Sequence, residues 1–207
     1  MQESVDTALI LAGGASSRLG RPKAFEDVGG KPIVQWVHEA LVPFVGEVIV
    51  SVSDSPMAES LRSLLPTVAF AVDRRRGRGP IEGIVRGIEV AKGERIFVAP
   101  CDAPLLRTDL YRLLLESLGS HEAAVPKRDV FDPVRAVYRT AALRRLLAED
   151  PNLLSPSSLV DRLDAVFVEE KRLRSVDPRL DSFLDVNDDS DLQEVLARLR
   201  SASRSAR

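Results

Sequence analysis

Short apolar runs alternate with amphipathic stretches through the first 118 residues, and this alternation constrains the fold more than any other feature. The apolar runs are Thr7–Ala12, Glu47–Val52, Val68–Val72 and Arg95–Ala99. The stretches with helical spacing of apolar residues are Pro32–Leu41, Pro56–Leu65, Ile81–Lys92 and Asp109–Leu118. Continuous apolar runs of this length are typical of strands buried on both faces. Four strand–helix units in series predict an α/β fold with a mostly parallel sheet, right-handed crossovers and helices on both faces.

The pattern is less regular after residue 118. Ala123–Val125 and Val134–Tyr138 predict two strands of a hairpin that turns at Asp132-Pro133. The remaining predicted elements are helices at Thr140–Leu147, from Ser155-Pro156 through Leu163 and at Asp188–Leu199, and a strand at Ala165–Val168. We therefore expect a single-domain three-layer sandwich, residues 1–200, whose Rossmann-like sheet carries a hairpin-type addition, and a flexible tail over residues 201–207.

Charge and composition exclude several classes of protein. The chain has 29 basic and 31 acidic residues, a net charge of −2, which argues against a nucleic-acid-binding surface and a polybasic membrane anchor. No apolar run approaches the ~18 residues of a membrane span, and the polar N-terminus lacks a signal-peptide layout. One cysteine, Cys101, and two histidines exclude a disulfide framework and disfavour a catalytic triad. We expect a cytoplasmic protein without nucleic-acid or membrane partners.

The segment Leu11–Lys23, LAGGASSRLGRPK, directly follows the first predicted strand. Ligands of open parallel sheets bind at the carboxyl ends of strands. Gly13 and Gly14 allow the backbone to approach a ligand, and successive N–H groups there can bind an anion. Arg18 and Lys23 add positive charge. The segment therefore indicates a phosphate site, although its composition alone equally suits a glycine-rich turn with solvated cations.

Two common nucleotide-binding motifs are absent. A P-loop requires G-x-x-x-x-G-K-[ST], but Lys23 is preceded by Pro22 and followed by Ala24. The dinucleotide fingerprint requires G-x-G-x-x-G at a strand–helix turn. The next helical pattern here starts only near Pro32. This long loop disfavours a dinucleotide-dependent oxidoreductase.

Four segments together resemble the nucleoside-triphosphate transferase superfamily, and within it the molybdenum cofactor guanylyltransferases. They are Leu11–Lys23, Gly79–Ile84 (GPIEGI), Pro100–Pro104 (PCDAP) and Phe183–Leu192 (FLDVNDDSDL). The resemblance extends over most of the chain and implies the nucleotide-diphospho-sugar transferase type of fold. It also implies transfer of GMP from Mg-GTP to the terminal phosphate of a molybdopterin cofactor, with release of pyrophosphate. The attacking phosphate is already anionic, so such a site needs positioning and charge stabilisation rather than a general base.

The resemblance also assigns candidate residues. It implies catalytic roles for Arg18, Lys23 and Asp102, and Mg²⁺ ligation by Asp102 and Asn187. It implies nucleotide contacts from Leu11, Ala12, Gly13, Gly14, Lys23, Ser51, Asp73, Gly79, Pro80 and Asp102. The expected partners are GTP and a molybdopterin-type phosphorylated acceptor. We expect a monomer, with transient contact with other molybdenum cofactor proteins.

Other interpretations of these residues stay open at this point. Asp102 also suits a turn or helix cap, Asp73 a loop acid at a strand end, and Asn187 the acidic start of the terminal helix. Ser51 and Asp185 each stand where the family usually has Asn. The basic run of Arg74, Arg75, Arg76 and Arg78 suits either a solvated loop or a phosphate or pterin contact.

Related activities also fit the sequence. The alternatives are a cytidylyltransferase for the same cofactor, a guanylyltransferase for another phosphorylated acceptor, and a nucleotide-binding protein without turnover.

Overall fold

A computed structural model describes residues 6–13, 22–75 and 77–205, with side chains described as far as Ser201. Within this part of the chain, seven strands form one sheet in the order β3-β2-β1-β4-β6-β5-β7. The strands are β1 (Thr7–Leu11), β2 (Glu47–Val52), β3 (Ala69–Val72), β4 (Arg95–Pro100), β5 (Ala123–Lys127), β6 (Val137–Arg139) and β7 (Ala165–Glu169). The helices are α1 (Ile33–Leu41), α2 (Ser55–Arg62), α3 (Pro80–Val90), α4 (Thr108–Leu118), α5 (Thr140–Glu149), α6 (Pro156–Val160), α7 (Glu170–Val176) and α8 (Asp189–Ser205).

The first four strands pair in parallel, as the alternating pattern predicts. β1 lies between β2 and β4, with Leu11 opposite both Ser51 and Pro100. This register brings the carboxyl ends of the three strands to one level at the same edge of the sheet. The residues that follow each strand therefore lie side by side, which is the position predicted for a ligand site.

The sheet has helices on both faces, which confirms the three-layer α/β architecture. Successive residues of β1 point to opposite faces, so Ile10 packs with Val34 and Leu110, whereas Leu9 packs with Ile84. The first face is covered by α1, α2, α4 and α7, and the second by α3, α5 and α6. A third, smaller cluster joins α1 to α8.

The predicted hairpin is present, but its second strand starts three residues late. The structure has β6 from Val137, antiparallel to both β4 and β5, rather than from Val134. Asp132 explains the difference, because its side chain accepts from Val134 N and its carbonyl from Arg135 N. These bonds hold residues 132–135 in a turn instead of an extended strand.

Two features near the C-terminus differ from the sequence expectation. Helix α7 is absent from the prediction because Leu173 is its one fully buried apolar residue, too little for a helical period. Helix α8 continues to Ser205, so the expected boundary at residue 200 falls inside a helix. In the described part of the chain, no helix has the length and apolar character needed to cross a membrane.

Candidate active site

A cleft of about 260 Å³ opens at the carboxyl ends of the parallel strands. Its floor continues the sheet, because Cys101 N donates to Leu11 O (3.1 Å) and Ala12 N donates to Ser51 O (2.9 Å). The cleft is lined by Leu11, Ala12, Gly13, Lys23, Pro80, Pro100, Cys101, Asp102, Val134, Arg135 and Asp185. Six of these residues are among the predicted site residues, so the structure brings these six together in one cleft, and their roles stay predictions.

Lys23 connects the two predicted metal ligands. It begins a short 3-10 turn, Lys23–Phe25, and its Nζ lies 2.8 Å from Asp102 Oδ2 and 2.7 Å from Asn187 Oδ1. Val186 N donates to the carbonyl oxygen of Asp102 (2.8 Å), which brings the C-terminal segment against the end of β4. Three residues predicted separately from sequence therefore meet at one point.

Asp73 follows β3 at the neighbouring edge of the cleft. A Cβ atom on Gly13 would lie 3.0 Å from Asp73 Oδ2, so a side chain there would require this carboxylate to move by a few tenths of an ångström. Asp73 Oδ1 is buried and accepts no hydrogen bond within the described residues. The pKa of Asp73 is raised to about 6, mainly by burial and also by the nearby Glu82, whereas Arg86 opposes the shift. An unsatisfied acceptor beside Gly13 suits a ligand that donates hydrogen bonds.

Ser51 and Gly83 form a close contact between β2 and α3. Ser51 is 1% exposed, and its Oγ makes no hydrogen bond to the residues described. A Cβ on Gly83 would collide with Ser51 Oγ and lie 3.1 Å from Leu11 Cδ2. The second glycine of the GPIEGI segment is therefore required for packing of α3 on the sheet, a role that the sequence did not indicate.

Gly79 and Pro80 begin α3 at the rim of the cleft. Gly79 has φ +67°, a conformation that favours glycine, and Pro80 occupies the first helical turn and lines the cleft. Gly14, Arg18 and Arg76 lie outside the described residues.

Glu82 organises the basic segment that precedes α3. Its Oε1 accepts from the backbone N–H groups of Arg74 (3.1 Å) and Arg75 (3.3 Å), and its Oε2 pairs with Arg78. The Arg78 guanidinium also donates to Leu153 O, and Arg74 pairs with the exposed Glu89. Arg74, Arg75 and Arg78 are thus each hydrogen-bonded to α3, and Arg78 also to the loop that contains Leu153.

The sequence analysis missed Arg135, a buried cation in the wall of the cleft. Arg135 is 3% exposed, and its guanidinium donates to Ser182 O (3.0 Å) and to the carboxylates of Asp132 and Asp185. Burial alone lowers the pKa of Arg135, but the two carboxylates outweigh it and the net shift is upward. The one available signal was Asp185, which stands where the family usually has Asn, and it does not identify a partner because a buried arginine with its carboxylates resembles a solvated charge cluster in sequence.

Two other groups in the cleft have strongly perturbed environments. The pKa of Asp185 is raised to about 6, mainly by burial; Arg135 opposes the shift, and Asp102 contributes to it. Burial raises the pKa of the Cys101 thiol far above its usual range, so it is not a thiolate at neutral pH.

The fold agrees with the matches to known proteins. Residues 8–177 match the family described as the MobA-like NTP transferase domain. The chain belongs to this family. It is a nucleotidyltransferase, as the sequence resemblance implies. The matched region contains Lys23, Asp73 and Asp102, whereas Asp185 and Asn187 lie beyond it.

Individual relatives of this nucleotidyltransferase cover nearly the whole chain. A probable molybdenum cofactor guanylyltransferase of Methanosarcina acetivorans is 32% identical over 92% of this chain and 89% of its own. That of Natronomonas pharaonis is 34% identical over 93% and 98%. The solved structure of molybdopterin-guanine dinucleotide biosynthesis protein A from Archaeoglobus fulgidus superposes with a TM-score of 0.79, at 26% identity, over 94% of this chain and 99% of that one.

Proposed function

We propose that this nucleotidyltransferase moves GMP from Mg-GTP to the terminal phosphate of a molybdenum-molybdopterin cofactor and releases pyrophosphate. The observation that carries the proposal is the contact of the Lys23 ammonium with both Asp102 and Asn187, beside Gly13 at the strand ends. The choice of donor and acceptor is supported by relatives that are named as probable molybdenum cofactor guanylyltransferases.

The donor set at this point fits a hard divalent cation. Asp102 Oδ2 and Asn187 Oδ1 both lie within hydrogen-bond distance of one positively charged nitrogen, so two oxygen ligands already converge on a cation. Among the described residues, no group of three or more His, Cys, Asp or Glu side chains is arranged to hold a metal. Mg²⁺ typically takes one or two protein oxygens and completes its octahedron with water and substrate phosphates. When bound, Mg²⁺ would offset charge on the triphosphate and the leaving pyrophosphate.

The side chains of this chain have positioning and electrostatic roles in the proposed reaction. Lys23 binds phosphate oxygens as a mobile cation, together with Arg18 and the backbone N–H groups of Gly13 and Gly14. A phosphate oxygen of the acceptor attacks the α-phosphorus of GTP, and pyrophosphate leaves. The attacking oxygen carries no proton to remove, so the site needs no general base. Neither His38 nor His121 lines the cleft, which agrees with this chemistry.

Base recognition falls to Asp73 and Ser51 in this proposal. The carboxylate of Asp73, whose Oδ1 has no hydrogen-bond partner among the described residues, accepts from guanine N1–H and N2–H or from a ribose hydroxyl. Ser51 Oγ offers a second buried polar contact. Leu11, Ala12, Gly79 and Pro80 provide the remaining contacts around the nucleotide. Cytosine also carries an amino donor, so the experiment on nucleotide preference includes CTP and thereby tests the cytidylyltransferase alternative.

Thermal denaturation with each nucleotide tests the donor. The emission of Trp36, the one tryptophan, follows unfolding as GTP, CTP, ATP or UTP is added with and without Mg²⁺. We expect the largest increase in Tm with Mg-GTP, because a ligand that binds only the native state stabilises it. A larger increase with CTP would support the cytidylyltransferase, and no increase with any nucleotide would contradict the proposal.

Pyrophosphate release tests the acceptor. GTP and Mg²⁺ are supplied with molybdopterin, with metal-loaded molybdopterin, or with a phosphorylated sugar as the control acceptor. We expect release only with the pterin acceptors.

We also propose that residues 1–200 act as one domain and that the protein works as a monomer in the cytoplasm, which light scattering and cell fractionation would test.

A further inference from the structure

The buried guanidinium of Arg135 joins two separate parts of the chain. Arg135 and its partner Asp132 belong to the turn before β6, whereas Ser182 and Asp185 belong to the segment that leads to α8. The ring of Phe183 also packs against the guanidinium, with its centroid 5.5 Å from Cζ. Each end of the planar fork is therefore occupied by a different acceptor, an arrangement that the flexible ammonium of lysine cannot reproduce.

The segment that Arg135 contacts carries one of the proposed metal ligands. Asn187 lies two residues after Asp185, and its Nδ2 approaches Asp185 O at 3.4 Å. The start of the segment is fixed separately, because Asp177 accepts from the backbone N–H groups of Asp181 and Ser182. Beyond Ser182, three contacts hold the chain: the contact between Arg135 and Asp185, the bond from Val186 N to Asp102 O, and the bond from Asn187 N to Asp191 Oδ2 (2.8 Å). Of these, the contact with Arg135 is the one that joins the segment to the turn before β6.

The charges around Arg135 argue against a direct role in binding phosphate. Its guanidinium already faces the carboxylates of Asp132 and Asp185, which together outweigh its single positive charge. A buried cation paired in this way offers little net attraction to an anion. Removing it, however, would leave two carboxylates near each other and close to Asp102, a costly arrangement that a shift of the segment would relieve.

We infer that Arg135 is a positioning residue: through Asp185 it fixes where Asn187 Oδ1 lies relative to Asp102 and Lys23. The kinetic part of this inference rests on the proposed function, whereas the geometric part concerns the free protein alone.

Asparagine labelling tests the geometric part directly. The chain contains only two asparagines, Asn152 and Asn187, so protein labelled with ¹⁵N-asparagine gives two side-chain amide pairs in an NMR spectrum. We expect Arg135→Gln to move the Asn187 amide signals and to leave those of Asn152 in place. Arg145→Gln is the matched control, because Arg145 makes a similar two-pronged pair with Glu122 but is exposed and lies outside the cleft lining.

Metal activation gives the second readout. With GTP and acceptor saturating, Arg135→Gln should raise the Mg²⁺ concentration for half-maximal activity by about 10- to 100-fold, the usual effect of losing a group that orients a metal ligand. Arg145→Gln should not change it. If the wild-type protein transfers no GMP, the proposed function fails, and the NMR result still decides the positioning role.

A folded Arg135→Gln protein with unchanged Asn187 signals would overturn the inference and leave Arg135 a purely stabilising residue. If Arg135→Gln does not fold, Arg135→Lys and Asp185→Ala replace it. The first keeps a cation without the planar fork, the second removes the carboxylate that the fork contacts, and neither adds an asparagine to the spectrum. Movement of the Asn187 signals in these variants would support the inference, and their invariance would contradict it. The double variant Arg135→Gln/Asp185→Ala should shift Mg²⁺ activation by less than the product of the two single effects, since both remove the same contact.

Discussion

Lys23 Nζ lies 2.8 Å from Asp102 Oδ2, although the two residues are 79 positions apart in the chain. Both side chains are only partly accessible, with 24% and 19% of their surface exposed. The same nitrogen reaches Asn187, so one cation links the glycine-rich loop, the end of β4 and the start of α8. Because these three side chains meet at one point, substitution of each residue alone tests the role proposed for it.

Substitution of Asp102 should separate a catalytic role from a structural one. Asp102→Asn keeps the shape of the side chain and removes its charge, so we expect turnover to fall by about 100- to 1,000-fold. The free energy of unfolding should fall by no more than about 1 kcal/mol, because the lost ion pair is partly solvated. Pyrophosphate release and urea denaturation measure the two effects. Asp109→Asn, at a half-exposed position of α4 outside the cleft lining, is the control, and wild-type turnover in Asp102→Asn would rule out metal ligation.

Substitution of Lys23 tests the phosphate contact. Lys23→Met retains much of the apolar stem and loses the ammonium, so we expect activity to fall by about 100-fold, comparable to removing one preorganised charge contact. The Tm increase caused by Mg-GTP should shrink in parallel. Lys171→Met, at an exposed position of α7, should alter neither quantity. An unchanged nucleotide response in Lys23→Met would show that Lys23 does not contact the triphosphate.

Asp73 should make both stability and GTP binding depend on pH. Its pKa is raised from 3.8 to about 6. Between these pH values the Asp73 carboxyl is still protonated in the folded protein but already ionised in the unfolded chain. The ionised carboxylate therefore costs stability that accumulates as pH rises from about 4 to 6 and is fully present above pH 6. Asp73→Asn should raise Tm more at pH 8 than at pH 4.

GTP binding should have the opposite pH dependence at this site. The ionised Asp73 accepts hydrogen bonds from guanine, so the affinity of the wild-type protein should increase through pH 6, and Asp73→Asn should remove that increase. Calorimetric titrations with GTP between pH 5 and pH 8 provide the measurement. A wild-type affinity that is flat across this range would place the base elsewhere.

Gly83 should tolerate no side chain. In Gly83→Ala the new methyl group would meet Ser51 Oγ and Leu11 Cδ2, and forcing α3 away from the sheet costs about 1–3 kcal/mol. Val90→Ala, at the exposed end of the same helix, is the control. Urea denaturation compares the two variants, and a Gly83→Ala protein as stable as the wild type would contradict the close packing seen here.

The sequence by itself determined the order of the strands and helices in the first half of the chain. Apolar runs and helical spacing are local properties, and the run Glu47–Val52 matches β2 residue for residue. The position of the cleft followed from the same pattern, because residues after parallel strands must lie at one edge of the sheet. Lys23, Asp73 and Asp102 were therefore predictable as neighbours of this edge.

Only the tertiary structure decided which charged groups meet there. Lys23 and Asn187 are 164 positions apart, and Arg135 and Asp185 are 50 apart. Their pairing depends on the antiparallel insertion of β6 between β4 and β5 and on the return of residues 182–187 to the end of β4. No local period encodes these contacts, since a buried arginine and its carboxylates have the same sequence signature as a solvated charge cluster. The physical difference is burial, which makes each charge require a partner that only the folded chain supplies.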